Sequence, residues 1–200
     1  MYSDEEGELA VRIARKVVDE YTTTRKRPVI TDYPEAFREK RGAFTTLNTY
    51  PQNELRGCIG LPLPRQKLID ALIESAMSAT HDPRFPPLNP KELGHIVVEV
   101  TIMSPLTLIQ ARIPKDYLSQ IKIGRDGLYL EYGFYSGLLL PQVPVEYNWD
   151  VEEYLAHLSM KAGLPADGWT REGVRIYSFT GEIFHEVEPH GRVIREDLHR

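Results

Sequence analysis

Residues 96–103 read Ile-Val-Val-Glu-Val-Thr-Ile-Met, and no other stretch restricts the fold as tightly. Side chains alternate across an extended strand, so Ile96, Val98, Val100 and Ile102 share one side, opposite Val97, Glu99 and Thr101. That is the pattern of a central strand with one wholly apolar side. Such a side must be covered by another layer.

Amphipathic helices are available for that layer. Ser3 with Glu6 three residues later forms a capping box, and Leu9, Ile13, Val17 and Tyr21 recur every four residues after it. The helix gives out at Thr22-Thr23-Thr24. The basic run Arg25-Lys26-Arg27 then reads as a solvated helix end, where positive charge complements the terminal carbonyls. Leu68, Leu72, Ala76 and Ala79, flanked by Ala71 and Ser75, mark a second helix whose small residues suit close packing on a sheet.

The rest of the chain is mostly strand and turn. Residues 42–50 and 55–60 read as a hairpin around the turn Pro51-Gln52-Asn53. Pro114 opens a short helix through Tyr117, Leu118 and Ile121. Residues 122–128 then read as strand, glycine-bounded turn and strand, followed by strands at 128–132 and 137–140. Asp150 with Glu153 caps another helix that ends at Gly163. A long closing strand covers 174–184, and the charged residues after Pro189 read as a frayed tail. Irregularly interspersed helices and turn-linked strands predict an α+β fold with a largely antiparallel sheet; a doubly wound parallel sheet is the weaker alternative.

Composition excludes several functions. Two hundred residues with 42% hydrophobic content suffice for a sizeable core, and no apolar run approaches the roughly 20 residues of a membrane span. The first residues are acidic and then amphipathic, unlike a secretory signal, which predicts a cytoplasmic protein. A net charge of -5 argues against a broad nucleic-acid footprint. One cysteine allows no internal disulfide and fits a reducing compartment.

That cysteine lies in Leu55-Arg56-Gly57-Cys58-Ile59-Gly60. In a strand Arg56 and Cys58 share one face and Leu55 and Ile59 the other, so the first face reads as chemical and the second as buried. Arg56 could then stabilise a Cys58 thiolate. Gly57 and Gly60 mark a close approach of backbone or ligand. Packing and site lining both remain open for Cys58, because a free cysteine also serves as a small buried hydrophobe.

The proline-stiffened loop 80–87 holds His81, Asp82 and Arg84, which offer a general base, an orienting carboxylate and an anion-binding fork, or equally a turn former and an ion pair. Gln142 and Glu146 bracket Pro144 at the end of an apolar strand, where polar groups are often aimed into a cleft; Glu146 offers an acid, a base or a partner to a pocket arginine. Six scattered histidines match no zinc spacing, so no metal site is expected; a composite of Cys58, His81 and Glu146 is the weak exception. No nucleotide-binding or serine-hydrolase fingerprint appears, and no cofactor is indicated.

In order along the chain, FTTLNTYPQNELRGCIG, HDPRFPPL, GLYLEYG, GLLLPQVPVEYNW and KAGL resemble the AMMECR domain family over about residues 9–184. The resemblance implies one domain over 1–189, with two unequal lobes around a cleft near the hexapeptide, and a charged tail over 190–200. It carries over Arg56, Gly57, Cys58, Gly60, Asp82, Arg84, Phe85, Gln142 and Glu146 as signature residues. Ser159 departs from the cysteine of many relatives, which speaks against a mechanism with a second thiol. By association, the family points to Memo-like or radical S-adenosylmethionine proteins as partners.

Three functions compete on these grounds. The first is a cleft enzyme or enzyme-accessory protein for a small or nucleotide-like anionic ligand. Its site would use Arg56, Gly57, Gly60, Asp82, Arg84 and Gln142 for binding and Cys58, His81 and Glu146 for chemistry. The second is a non-catalytic adaptor for one of the partners just named. RNA modification is the least favoured. Oligomeric state is not legible.

Overall fold

The computed structural model describes residues 1–196, and it divides into two compact units: Met1–Met103 with Glu182–Glu196, and Ser104–Gly181. Both mix helices with antiparallel strands, as an α+β fold requires.

The first unit is a sheet with helices over one face. Helix α1 (Asp4–Thr24) starts at the Ser3 capping box and ends where Arg25 turns left-handed at φ 58°. Strands β1 (Ala43–Thr49) and β2 (Leu55–Leu61) form the expected hairpin, α2 spans Leu68–Ala79, and β3 spans Ile96–Met103. Two later strands, β8 (Gly181–Glu186) and β9 (Val193–Glu196), complete a sheet of order β2-β1-β3-β8-β9. Buried Val11, Val17 and Val18 of α1 and Leu68, Leu72 and Ala76 of α2 share one core with Leu47, Val98, Val100 and Ile102. Each large aliphatic side chain buried there stabilises the unit by about 1.5–3 kcal/mol.

One ion pair is sealed inside that core. The Arg15 guanidinium donates from Nε to both Glu186 carboxylate oxygens (3.0 and 3.1 Å) and from Nη2 to one of them. It also donates to the Leu93 and Ile96 carbonyls, and the Val98 N–H donates to Glu186 at 3.0 Å. A buried charge pair is tolerated when every lone pair and proton is used in this way.

The second unit has its own core and sheet, of order β4-β7-β5-β6, from β4 (Thr107–Leu108), β5 (Gly127–Tyr132), β6 (Tyr135–Leu139) and β7 (Arg175–Phe179). Helix α3 spans Lys115–Gln120, α4 spans Val143–Glu146, and α5 spans Val151–Lys161 behind the expected Asp150 capping box. The α5 residue Tyr154 is fully buried, and its hydroxyl donates to the Leu139 carbonyl; Leu155 and Leu158 join the same core as Leu128, Leu130 and Ile176.

Three sequence expectations need correction. The closing strand over 174–184 is two strands, β7 and β8, in different sheets, with Thr180 between them. Alternation does not reveal such a break, because Phe179 and Ile183 keep the two-residue register across Thr180-Gly181-Glu182. Residues 122–123 form a turn instead of a strand: Gly124 has φ 80°, and the Asp126 carboxylate accepts from the Lys122 N–H at 2.9 Å. The tail contains β9, paired with β8; its last four residues lie outside the described ones.

Candidate functional site

The hexapeptide forms β2, at the edge of the first unit's sheet. Its pairing with β1 slips between Leu47 and Asn48, leaving Arg56 as an extra residue. A bulge of this kind breaks strict alternation. Accordingly Leu55, expected on a buried face, is 42% exposed. The position that turns toward α2 is Gly57, where a Cβ would lie 2.4 Å from the Ala79 carbonyl oxygen. At Gly60 a Cβ would lie 2.0 Å from the Phe44 ring. Close packing by this chain accounts for both glycines.

Arg56 does not serve Cys58. Its guanidinium makes a two-pronged pair with Glu92, at 2.8 and 3.1 Å. Glu92 also accepts from the Asn89 N–H as the third residue of a capping box on the 3-10 turn Pro90–His95. Arg56 holds the carboxyl of Glu92 below the usual carboxylate range. The sequence reading missed Glu92, although its spacing from Asn89 carried the signal.

Asp82 and Arg84 are the groups built around Cys58. Asp82 is buried, and its carboxylate accepts from the Cys58 N–H at 2.9 Å and the Arg84 N–H at 3.0 Å. It also accepts from Arg84 Nε at 3.0 Å and Nη2 at 2.6 Å. Arg84 Nη2 further donates to the Cys58 carbonyl at 3.2 Å. The two side chains therefore stitch the 80–87 loop to both polar groups of the Cys58 main chain. Hydrogen bonding from Arg84 holds the Asp82 carboxyl well below the ordinary aspartate value. The Arg84 side chain stays 56% exposed, with its guanidinium carbon 5.7 Å from the centre of the Phe85 ring. Arg56 approaches the same ring at 6.0 Å.

The thiol side chain points the other way. Thr46 donates its hydroxyl to Cys58 Sγ at 3.3 Å, and the pairing Cys58–Thr46–Glu99 runs across β2, β1 and β3. Burial pushes the Cys58 thiol up; the Thr46 hydroxyl and Arg84 pull it down, while Glu99 and Asp82 add to the rise. The expected thiolate activation by Arg56 is thus corrected: Arg84 is the nearby cation, and burial outweighs it. His81 is exposed, with its ring 5.6 Å from Tyr21 of α1 and Nδ1 3.2 Å from the Thr80 hydroxyl.

Gln142 and Glu146 belong to the second unit, where Pro141 ends the strand region and α4 follows in place of an extended segment. The Gln142 main-chain carbonyl accepts from the Val145 and Glu146 N–H groups, and its side-chain Oε1 is buried without a hydrogen-bond partner among the described residues. Glu146 is exposed.

A further cluster went unread in the sequence. Glu99 on β3, His185 on β8 and Glu196 on β9 bring one ligand atom each within 4.8 Å of one another. They stand far apart along the chain, and only the strand order gathers them. No helix among the described residues is long and apolar enough to cross a membrane.

Comparison with known proteins gives consistent matches. A family model described as AMMECR1 matches residues 11–184. A Methanocaldococcus jannaschii protein is 63% identical over 195 residues, covering 97% of this chain and 96% of its own. A Methanococcus aeolicus protein is 52% identical over 195 residues, covering 97% and 98%. The crystal structure of an uncharacterized Pyrococcus horikoshii protein is similar with a TM-score of 0.89 at 48% identity, covering 97% of this chain and 98% of that one.

Proposed function

The chain belongs to the AMMECR1 family, and from that premise we propose that it is an enzyme-accessory binding module, one that receives an anionic group beside Cys58 without transforming it. The observation that carries this reading is the division of labour within Arg84. Its Nε and Nη2 are committed to Asp82 and to the Cys58 carbonyl, while the side chain remains 56% exposed beside Phe85. A guanidinium fixed through Nε and Nη2 is pre-organised to offer its remaining Nη1 donors to a carboxylate or phosphate. The thiol lacks what a nucleophile needs, because its pKa is raised and Arg56 is spent on Glu92. Cys58 is then a wall of the site and Asp82 its positioning residue.

The natural setting of such a module is the cytoplasm, beside a Memo-like or radical S-adenosylmethionine protein. Co-purification with a partner of that kind should survive Cys58→Ser and be lost with Arg84→Glu in a variant whose circular dichroism matches the wild type. Loss with Cys58→Ser, or retention with Arg84→Glu, overturns the reading.

A thiol enzyme is the second reading, kept open by the partial exposure of Cys58. Alkylation of the native protein by iodoacetamide separates the two. The binding module predicts a rate that climbs only above the ordinary thiol value of about 8.5. Rapid alkylation at pH 7 would establish the nucleophile instead.

A further inference from the structure

We propose that Glu99, His185 and Glu196 form a site for one first-row divalent cation, with zinc the best fit. The three residues come from β3, β8 and β9, which are neighbours in that order in the five-stranded sheet. In the pairing of β8 with β9, Ile183 faces Glu196 and His185 faces Ile194. His185 and Glu196 are therefore diagonal neighbours on one face of the sheet. Glu99 shares that face, because Val98 and Val100 on either side of it point into the helix-covered core.

Distances and burial point to a ligand. The three donor atoms lie within 4.8 Å of one another, and His185 Nδ1 is 3.8 Å from Glu196 Oε2, too far for a hydrogen bond. Nδ1 is also shielded from solvent and has no hydrogen-bond partner among the described residues. Leaving a buried ring nitrogen in that condition costs stability. A cation between the ring and the carboxylates removes that cost. Zinc binds imidazole nitrogen at about 2.0–2.1 Å and carboxylate oxygen at about 2.0–2.2 Å, so small side-chain rotations close the present spacing.

The surroundings leave the ion an open position. All three residues line one pocket of about 420 Å3, which Asn48, Tyr50 and Asn53 also border. Three protein ligands with an open fourth position are the arrangement of zinc sites that hold a water or an exogenous ligand. One imidazole and two carboxylates favour zinc over magnesium or calcium, which prefer all-oxygen shells. This site uses neither Arg84 nor Cys58 as a ligand, although Glu99 also lies across Thr46 from the Cys58 thiol.

The test is calorimetric titration of zinc chloride into the untagged full chain after chelator treatment and dialysis. One equivalent should bind, and His185→Gln and Glu99→Gln should each weaken binding at least about 10-fold, while His95→Gln leaves it unchanged. Because a substituted chain can misfold, a second measurement uses the wild type alone. Substoichiometric manganese should broaden the His185 ring resonances before those of His81 and His157. Absence of zinc binding, equal affinity in the His185 and Glu99 variants, or uniform broadening of the three histidines overturns the proposal.

Discussion

Two of the first unit's arginine–carboxylate forks, Arg15–Glu186 and Arg84–Asp82, do different work with the same chemistry. Arg15 and Glu186 are sealed, with side chains 5% and 0% exposed, and every contact they make is to α1, the sheet or the 3-10 turn. Arg84 and Asp82 have one sealed member: the carboxylate is 1% exposed and the guanidinium 56%. The first fork ties main-chain groups of β3 and the turn before it to α1, so it belongs to the core. The second ties one loop to one edge-strand residue and keeps a charged edge facing outward. Complete burial makes the Arg15–Glu186 fork structural, whereas the Arg84 guanidinium keeps contact with solvent.

The largest expected effect tests the sealed fork. Glu186→Gln leaves the Arg15 charge buried without its counter-ion and should lower unfolding free energy by about 3–5 kcal/mol in urea titration. A loss below about 1 kcal/mol would place the two forks in one class.

Asp82→Asn should cost less, about 1–3 kcal/mol, because water already reaches the Arg84 side chain. It should also change the acid limb of stability. The Asp82 carboxyl titrates lower in the folded chain than the ordinary value of about 3.9, so its stabilisation is complete above that value and fades as pH falls through the folded one. The gap between wild type and variant in urea midpoints should hold from pH 7 to 5 and shrink below about pH 4. A constant gap down to pH 2 would show that Asp82 contributes through shape alone.

Arg84→Lys sharpens the comparison further. Lysine keeps the charge but not the fork, and with the guanidinium half in water the cost should stay near 0.5–1 kcal/mol. Partner binding should fall much more than stability. If stability falls as far as in Glu186→Gln, the second fork is structural after all.

The smallest effect is expected at Thr46. Thr46→Val removes the hydroxyl that donates to Cys58 Sγ and should cost under about 1 kcal/mol, while raising the thiol pKa further and slowing alkylation near pH 9. Unchanged alkylation would remove Thr46 from the account of the thiol.

Much of the fold was legible because local signals coincide with its elements. The Ser3–Glu6 and Asp150–Glu153 boxes each open a helix, and the 96–103 alternation is a central strand. What misled was continuity. An alternating pattern does not announce that it changes sheets at Thr180, and a charged tail does not announce that β8 offers it an edge. At the site, the sequence placed Asp82 and Arg84 beside Cys58 in interest but assigned the activating cation to Arg56. The bulge and Glu92 redirected that guanidinium, and neither is visible from spacing within the hexapeptide.

The local elements, the cation-carboxylate chemistry around one free thiol and the α+β class are written in the residues themselves, because periodicity and capping act within a few residues. The thiol's character, the division between sealed and open forks and the gathering of Glu99, His185 and Glu196 emerge on folding alone. Those depend on desolvation and on strand order, which arise from contacts between residues tens to well over a hundred positions apart.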